Sequence, residues 1–529
     1  MKKTLPIIAT ILFAFVLWYF ALPPINISSP EFWVYLIMVI LFAGLAFAPS
    51  ILLGNYKKKR MKDLPKVFNR MVTLIGVIVV GIVLVNLFCS PLFNSSKYAN
   101  RIVVDETKEF SEDVKEVDFT KIPLLDKSSS QKLGDRKMGQ ATEWVSQFYV
   151  SDLYTQINYN NKIVRVTPIE YAGLIKYFTN RDEGIKGYIT VNSVDGESKL
   201  ETLEKGMKYM PSAYFFENLY RKLRIDYPTE IFEEASFEID NDGNPYWIVP
   251  TIKYAGVGMR EEISGVIILD PITGDSKKYS TNEIPSWVDH AYPPYLIIDQ
   301  LNNWGEYKEG FINSIFGQKN VVNTTEGYNY LVMDDDVYLY TGITSVSTDE
   351  SNLGFVLVNM RTKETHYYSA PGAEEYSAMA SAQGLVQEKK YVASFPLLIN
   401  LKGKPTYLLS LKDNAGLVKM YALVDVADYQ KVIVNDSSLG IEAAVKKYLG
   451  EVETEIDNSK LQTKEITIKS LTTAIIDGNT HYYFTDKEDN LYSASIKVDK
   501  NILPFLKVKD KVKVTYQQGE VSVVTNIEK

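Results

Sequence analysis

Residues 71–92 read MVTLIGVIVVGIVLVNLFCSPL, and together with two earlier stretches they decide the layout of the chain. Leu5–Leu22 and Phe32–Leu53 are similarly apolar, and none of the three contains Asp, Glu, Lys, Arg or His. Because a helix rises about 1.5 Å per residue, roughly 20 apolar residues cross a bilayer core. The sequence therefore predicts a three-helix transmembrane anchor in residues 1–93. The absence of charged residues from it argues against a transporter built from these helices alone.

Basic residues predict the orientation of this anchor. Lys2 and Lys3 precede the first span, residues 56–70 hold seven more Lys and Arg, and the loop PPINISSPE at 23–31 holds none. We therefore expect a multi-pass protein of the cell membrane, with a cytoplasmic N-terminus and a large extracytoplasmic region from about residue 94.

The first span has an alternative interpretation as a cleaved signal peptide, because MKK precedes an apolar core. Against cleavage, Trp18, Tyr19 and Phe20 stand where small residues should precede the cleavage site. These aromatic residues suit a membrane interface instead.

Charge and cysteine content exclude several classes of function. The anchor has nine Lys and Arg against Glu31 and Asp63, a net charge of +7, so the remainder of a chain with net charge −8 carries −15. This acidic surface makes nucleic acid an unexpected partner. Cys89 is the only cysteine and three histidines are widely spaced, so the sequence indicates no cofactor and no metal site. Large exported proteins without cysteine are typical of Gram-positive bacteria.

The region after the anchor is too long for one domain and is predicted to be α+β. We expect a tether at 94–137, a small α+β module at 138–205, another at 206–290, two further repeats at 291–450, and a separate β unit at 460–529. Residues 152–171 predict a hairpin around Asn160-Asn161. The overlapping stretch TPIEYAGLIKYFTNRDEG at 167–184 predicts a helix capped by Thr167, with Pro168 in its first turn.

One module carries a family resemblance. GNPYWIV at 243–249 puts a strand with Tyr246 and Trp247 after a Gly-Asn turn, and GVIILDPITGDSKKY at 265–279 ends a second strand in a D-x-x-T-G turn. This pair resembles a PepSY-type module, and residues 291–450 keep parts of the pattern. The resemblance implies a non-enzymatic binding or regulatory role in the bacterial envelope and offers no catalytic residues. Tyr246 and Trp247 become candidate binding residues.

The C-terminal unit also carries a resemblance. Five short predicted strands in 463–529, with VKDKVKV at 508–514 leading into one of them, look similar to an OB-fold barrel. OB-folds bind oligonucleotides, oligosaccharides or proteins. Tyr482 and Tyr483 are candidate stacking residues. Beside acidic modules outside the cell, a structural or protein-docking barrel is favoured over one that binds nucleic acid.

Few other side chains suggest chemistry. Arg181, Asp182 and Glu183 form a charged cluster that could be a ligand clamp, although an ion-pair corner is the simpler interpretation. Asp289-His290 could line a site or pack inside the protein. No metalloprotease, α/β-hydrolase, P-loop or dinucleotide motif is present, so we assign no catalytic residue.

These observations favour a membrane-anchored, extracytoplasmic, non-enzymatic protein that binds or scaffolds a partner protein, peptide or wall polymer. Its expected partners are the cytoplasmic membrane and another envelope or membrane protein. Two alternatives stay open: a subunit of a membrane complex, and an envelope hydrolase with a dispersed carboxylate pair, which leaves no sequence motif.

Overall fold

The computed structural model describes residues 4–55, 64–346, 351–450, 461–476, 479–496, 498–518 and 521–529. The chain divides into two compact units, Met1–Ile441 and Glu442–Lys529. The first contains the three N-terminal helices and most of the sheets. The second begins within α12 (Gly440–Leu449) and contains a separate β sheet.

The three predicted spans are helices. They are α1 (Thr4–Ala21), α2 (Pro30–Asn55) and α3 (Leu64–Cys89). Each contains a window that is long and apolar enough to cross a membrane, and almost none of those residues is buried inside the protein. Side chains that are apolar and unburied suit a lipid environment, which confirms the prediction of three apolar helices. The basic cluster of residues 56–63 lies outside the described residues.

Residues 94–137, expected to form a tether, are part of the first unit and contribute to its core. This segment carries α4 (Pro91–Ala99), β1 (Val104–Asp105), α5 (Phe110–Asp113) and the start of α6 (Lys127–Gln140), and α7 (Thr142–Val145) follows. Ile102 and Phe110 are buried, and β1 adds a parallel strand to a later sheet. The polar composition of the segment hid these few apolar anchoring residues.

Four sheets in the described residues share one strand order. In each, a long strand pairs on one edge with two short preceding strands and on the other with the strand that follows it, which in turn pairs with the next strand of the meander. The first module has β2 (Phe148–Val150), β3 (Thr155–Tyr159), β4 (Lys162–Tyr171), α8 (Leu174–Asn180), β5 (Ile185–Asn192) and β6 (Ser198–Met207). The second has α9 (Leu219–Asp226), β7 (Ile231–Phe232), β8 (Ser236–Ile239), β9 (Pro245–Lys253), β10 (Glu262–Leu269) and β11 (Ser276–Tyr279).

The other two modules repeat the arrangement. The third has α10 (Pro294–Tyr307), β12 (Val322–Thr324), β13 (Asn329–Met333), β14 (Asp336–Ser345), β15 (Ser351–Asn359) and β16 (Thr365–Ala373). The fourth has α11 (Glu375–Gly384), β17 (Val392–Ala393), β18 (Leu397–Leu401), β19 (Lys404–Lys412), β20 (Val418–Asp425) and β21 (Val432–Asp436). The small α+β modules predicted from the sequence are therefore present, and the first module is a fourth copy.

The same turn chemistry recurs in all four copies. The side chains of Asn192, Asp270, Asn359 and Asp425 each accept a hydrogen bond from the backbone N–H two residues on, at 2.9, 2.7, 2.9 and 3.0 Å. Such Asx turns tighten the loop between the two meander strands. The D-x-x-T-G motif is one version of this turn.

Alternating side chains of the second module belong to two different cores. Trp247 faces the core shared with the first module, whereas Ile248 faces the core shared with α10 and the third module. Successive residues of a strand point to opposite faces of the sheet. This sheet is therefore buried on both faces, which explains its continuous apolar runs.

One predicted element in the first module is wrong. The Asn160-Asn161 hairpin is confirmed, with both residues at positive φ, but TPIEY continues β4 and no helix starts at Thr167. Nearly every residue of β4 is buried. Pairing on both edges of β4 outweighs the capping signal of Thr167-Pro168. The helix α8 begins only at Leu174.

The C-terminal unit has six strands, where the sequence predicted five. They are β22 (Leu461–Thr467), β23 (Ser470–Ile476), β24 (Asn479–Thr485), β25 (Leu491–Ser495), β26 (Lys511–Gln517) and β27 (Ser522–Glu528). The stretch KEITIKSLTTAII at 464–476 is divided between β22 and β23. The sheet runs β22-β26-β27-β25-β24-β23, and no described pairing joins β22 to β23.

Candidate functional site

A cavity of about 710 Å³ lies where the four modules of the first unit meet. Its volume is in the range of small-molecule and peptide sites. Its lining includes Asp126, Tyr154, Gln156 and Arg165 from the first module or the segment before it, Glu233 and Ser236 from the second, His290, Tyr295 and Tyr330 from the third, and Phe395 from the fourth.

Arg165 is the most unusual residue of this cavity. It lies on β4, and only 6% of it is exposed. In the described part of the chain its Nε has no hydrogen-bond partner. The carboxylate of Asp126, which also lines the cavity and is itself bonded to Lys412, favours the charged form of Arg165 without making a described ion pair with it. Burial lowers the pKa of Arg165 to about 10, so the side chain stays charged at neutral pH. A buried charge without an ion-pair partner lowers the stability of the fold. Such a residue is therefore a candidate for a functional role.

Gln156 lies beside Arg165 for a structural reason. The two residues are directly opposite each other on the antiparallel pair β3 and β4, so their side chains share one face of the sheet. Gln156 is buried, and its side-chain oxygen and nitrogen have no partner among the described residues. The hydroxyl of Tyr154 is also buried and without a partner among the described residues, but it lies beside Gly134 and Ile189 in the core behind the hairpin. The face that carries Arg165 therefore offers the unsatisfied amide of Gln156.

His290 adds a neutral polar group to the wall. Its Nε2 lies 2.7 Å from the carbonyl oxygen of Gln156, so Nε2 carries the proton and donates it. Burial, together with the nearby charge of Arg165, lowers the pKa of His290 to about 4. The ring is therefore neutral at physiological pH, and its Nδ1 is a hydrogen-bond acceptor.

Two buried carboxyl groups hold this wall in place. Glu238 accepts the backbone N–H groups of Asp289 and His290 at 2.8 and 3.1 Å, and Asp289 accepts that of Asn158 at 2.7 Å. Burial raises the pKa of Glu238 to about 7 and that of Asp289 well above its usual value. Neither lines the cavity, so the pair connects three modules and fixes the position of His290.

A second carboxyl pair belongs to another part of the wall. The hydroxyl of Tyr295 donates a short hydrogen bond to Glu261, and Glu233 lines the cavity close by. Burial raises the pKa of both glutamates, and the neighbouring carboxylate of Glu261 adds to the effect on Glu233. The cavity thus holds Arg165 with Asp126 near it, and Glu233 in another part of the wall.

The arrangement suits recognition of an anion better than bond cleavage. Arg165 presents a fixed positive charge with uncommitted N–H donors, next to unsatisfied polar groups, inside walls of aromatic and proline side chains. A carboxylate is the anion that a planar guanidinium binds with the best geometry. In the described residues no group of three or more His, Cys, Asp or Glu is placed to hold a metal ion.

The structure places the aromatic candidates from the sequence elsewhere. Trp247 is fully buried and donates its Nε1–H to the carbonyl of Tyr209 at 2.9 Å. Tyr246 packs its ring 5.0 Å from that of Trp287. Both residues fill cores on either side of the second sheet, so Trp247 has no surface left for a ligand.

The charged candidates form a corner at the end of α8. Arg181 pairs with Glu217 at 3.2 Å, Glu183 pairs with Lys186 at 2.7 Å, and Asp182 is exposed. Arg181 and Glu183 thus each form an ion pair with a residue outside the predicted cluster.

In the C-terminal unit, β24 places one candidate tyrosine inside and the other partly outside. Tyr482 is buried in the core of that unit, and Tyr483 is partly exposed. The candidates from the sequence therefore do not assemble into one site.

Of the residues that line the cavity, the sequence pointed only to His290. Arg165 was missed, although its position carried a signal. It lies in KIVRVTPIEY, a stretch whose centre is otherwise mostly apolar and which is buried on both faces. An arginine is unusual at such a position, because charged residues are rarely fully buried.

Comparisons with known proteins add little. No family model matches the chain, and no curated protein matches it. One solved structure, an ACO/RPE65 chimera in a monoclinic crystal form, aligns with 11% identity over 53% of this chain and 46% of its own, with a TM-score of 0.13. The chain therefore spans less than half of that protein, and so low a score carries no argument about fold or function.

Proposed function

We propose that this protein is a membrane-anchored, extracytoplasmic binding protein of the cell envelope, without catalytic activity, whose cavity recognises a carboxylate-bearing peptide segment of a partner protein. The observation that carries the proposal is the buried, charged and unpaired Arg165 in a cavity of about 710 Å³. The three apolar helices support membrane anchoring, and the distribution of basic residues supports the outward orientation.

The walls support a peptide over a small inorganic anion. Tyr292, Tyr295 and Phe395 supply aromatic surface, and Pro293 and Pro294 add rigid apolar surface. Such surfaces bind side chains, while a few polar groups fix the orientation of the ligand. The resemblance to PepSY-type modules supports the same class of function, since that family is non-enzymatic.

The C-terminal unit is proposed to be an OB-like docking barrel. β22 and β23 are separated only by Ile468 and Lys469, so they can be treated as two halves of one bent strand. If β22 and β23 together count as strand 1, and β24, β25, β26 and β27 as strands 2 to 5, the sheet order is 1-2-3-5-4-1. Strands 3 and 5, which are β25 and β27, are parallel, and this arrangement supports the resemblance to an OB-fold. Tyr482 is in the core, so a docking role would use Tyr483 and its exposed neighbours.

A pair of peptide pools tests the proposal. Full-length protein in detergent is incubated with mixed-sequence acetyl-pentapeptides made as free acids, or with the same pool made as C-terminal amides, and bound peptides are identified by mass spectrometry. We expect enrichment of free acids on the wild type and its loss in Arg165→Met. Equal enrichment of acids and amides, or no enrichment, would overturn the proposed ligand class.

Membrane topology is tested separately. With Cys89 replaced by Ser and a single cysteine introduced as Leu385→Cys, a membrane-impermeant thiol reagent should label intact cells, because Leu385 is half exposed on the fourth module. Labelling only after lysis would place the modules in the cytoplasm and contradict an extracytoplasmic role.

One observation favours a second function, an envelope hydrolase with a dispersed carboxylate pair. Glu233 and Glu261 have raised pKa values, lie close to the same tyrosine hydroxyl, and Glu233 lines the cavity. Such pairs perform general acid and base catalysis. Cleavage of the peptide pool by the wild type, abolished in Glu233→Gln, would support this function over binding.

A further inference from the structure

All three apolar helices are fastened to the body of the first unit at one end. Arg224 Nε donates to the carbonyl of Leu22 at 2.9 Å, just after α1. Gly258 N–H donates to Ser28 O at 3.0 Å, just before α2. The amide of Asn86, near the end of α3, bonds both the carbonyl and the N–H of Val257, at 2.9 and 2.8 Å. Three attachments fix the tilt and height of the body relative to the helices.

An exposed apolar cluster lies beside one of these attachments. It consists of Leu174, Ile175 and Phe178 on α8 and Phe215 and Phe216 on the short turn Phe215–Glu217. Ile175 is 75% exposed and Phe216 is 66% exposed. The ring of Phe216 lies 6.5 Å from that of Tyr19, which is in the last turn of α1. We call these five residues the α8 cluster.

The α8 cluster is held rigidly. Tyr177, on the inner side of α8, donates its hydroxyl hydrogen to Glu217 at 2.7 Å, and Arg181 pairs with the same glutamate. The rings of Phe178 and Phe215 are 5.9 Å apart. A rigid, exposed apolar group of this size is unusual on a surface that faces only water.

Charged side chains border the cluster. Arg221 lies 4.2 Å from the centre of the Tyr19 ring, and Lys176 stands between Ile175 and Phe178 on α8. Arg181, just after α8, is paired with Glu217 and is followed by the exposed Asp182 and Glu183. Apolar and aromatic side chains bordered by Lys and Arg are typical of segments that sit in the headgroup region of a bilayer, because the charged groups reach the phosphates.

We infer that the α8 cluster is a second, non-spanning membrane contact that dips into the leaflet at the outer end of α1. This inference rests on the proposed membrane anchoring. The occupant is lipid because the cluster is continuous with a helix end that itself lies at the membrane surface. It would hold the four modules at a fixed height above the bilayer.

Site-directed spin labelling of the full chain in nanodiscs tests this inference. On a Cys89→Ser background, single cysteines at Ile175 and Phe216 are labelled and compared with two controls. Leu385→Cys, just after α11, is the aqueous control, and Phe15→Cys within α1 is the lipid control. Each variant must keep the melting temperature of the Cys89→Ser parent. Accessibility to oxygen and to a water-soluble nickel chelate is measured at each site.

We expect labels at 175 and 216 to be several-fold less accessible to the nickel chelate than the label at 385, and more accessible to oxygen. If the label at 15 is in lipid while those at 175 and 216 behave like 385, the inference fails and the anchoring stands. If the label at 15 is also in water, membrane anchoring itself fails and the inference falls with it.

Discussion

The unpaired Arg165 predicts that the protein becomes more stable when this residue is removed. Burial lowers the pKa of Arg165 from 12.5 to about 10. At 1.36 kcal/mol per pKa unit, holding the charge in place costs about 3 kcal/mol. Methionine keeps the apolar length of the side chain and removes the charge. We therefore expect Arg165→Met to raise the free energy of unfolding by about 1–3 kcal/mol.

Arg224 is a matched control. It is 5% exposed against 6% for Arg165, and its pKa is also lowered to about 10 by burial. Unlike Arg165, it donates hydrogen bonds to the carbonyls of Leu22, Tyr227 and Glu230. Arg224→Met leaves those carbonyls without a partner, so it should lower stability by about 2–3 kcal/mol.

Thermal and urea unfolding of the full chain in detergent, followed by tryptophan fluorescence, measures both changes. The two variants should shift the melting temperature in opposite directions by a few degrees. If Arg165→Met destabilises the protein as much as Arg224→Met does, Arg165 has a structural partner. Arg165 would then be a structural residue and not an anion-binding one.

Three further outcomes follow from particular contacts. Burial raises the pKa of Glu375 to about 7, so the free energy of unfolding falls as the pH rises from about 4.5 to 7. In unfolding experiments, Glu375→Gln should be more stable than the wild type by roughly 3 kcal/mol at pH 8 and should differ little from it at pH 4. Asn86→Ala should speed hydrogen exchange of residues 254–260, because the side-chain amide of Asn86 bonds the backbone of Val257. An unchanged exchange rate would show that other contacts hold this loop. Asp486 accepts bonds from the N–H groups of Glu488 and Asn490 and from Lys464, which help lower its pKa. Asp486→Ala should destabilise the C-terminal unit by roughly 2–4 kcal/mol at pH 7 and by less as the pH falls below 4, whereas a pH-independent effect would contradict the ionised role.

Features that depend on local patterns could be predicted from the sequence. The three helices follow from uninterrupted apolar length, and the hairpin of the first module follows from Asn160-Asn161. The fourth copy of the module was within reach as well, because Asn192 marks the same Asx turn as Asp270 does in the D-x-x-T-G motif. The repeat was hidden because all four copies keep the Asx turn, whereas the residues of the D-x-x-T-G motif are not kept.

The cavity could not be predicted in this way. It is assembled from four modules that are distant in sequence. The importance of Arg165 follows from a buried Nε without a hydrogen-bond partner, which only the three-dimensional structure reveals. Conspicuous residues misled for the same reason. Trp247 stands out in a short motif, yet a large aromatic side chain in a sheet covered on both faces is most simply a core residue.

The claim that Arg165 recognises a carboxylate is tested most directly by a thermodynamic cycle. A peptide selected from the free-acid pool and its C-terminal amide are titrated calorimetrically into the wild type and Arg165→Met, which gives four dissociation constants. A charge-assisted hydrogen bond predicts a coupling of about 1.5–3 kcal/mol, so the acid should lose roughly ten-fold or more in affinity on substitution while the amide changes little. Equal losses for acid and amide, and hence no coupling, would show that Arg165 does not contact the carboxylate.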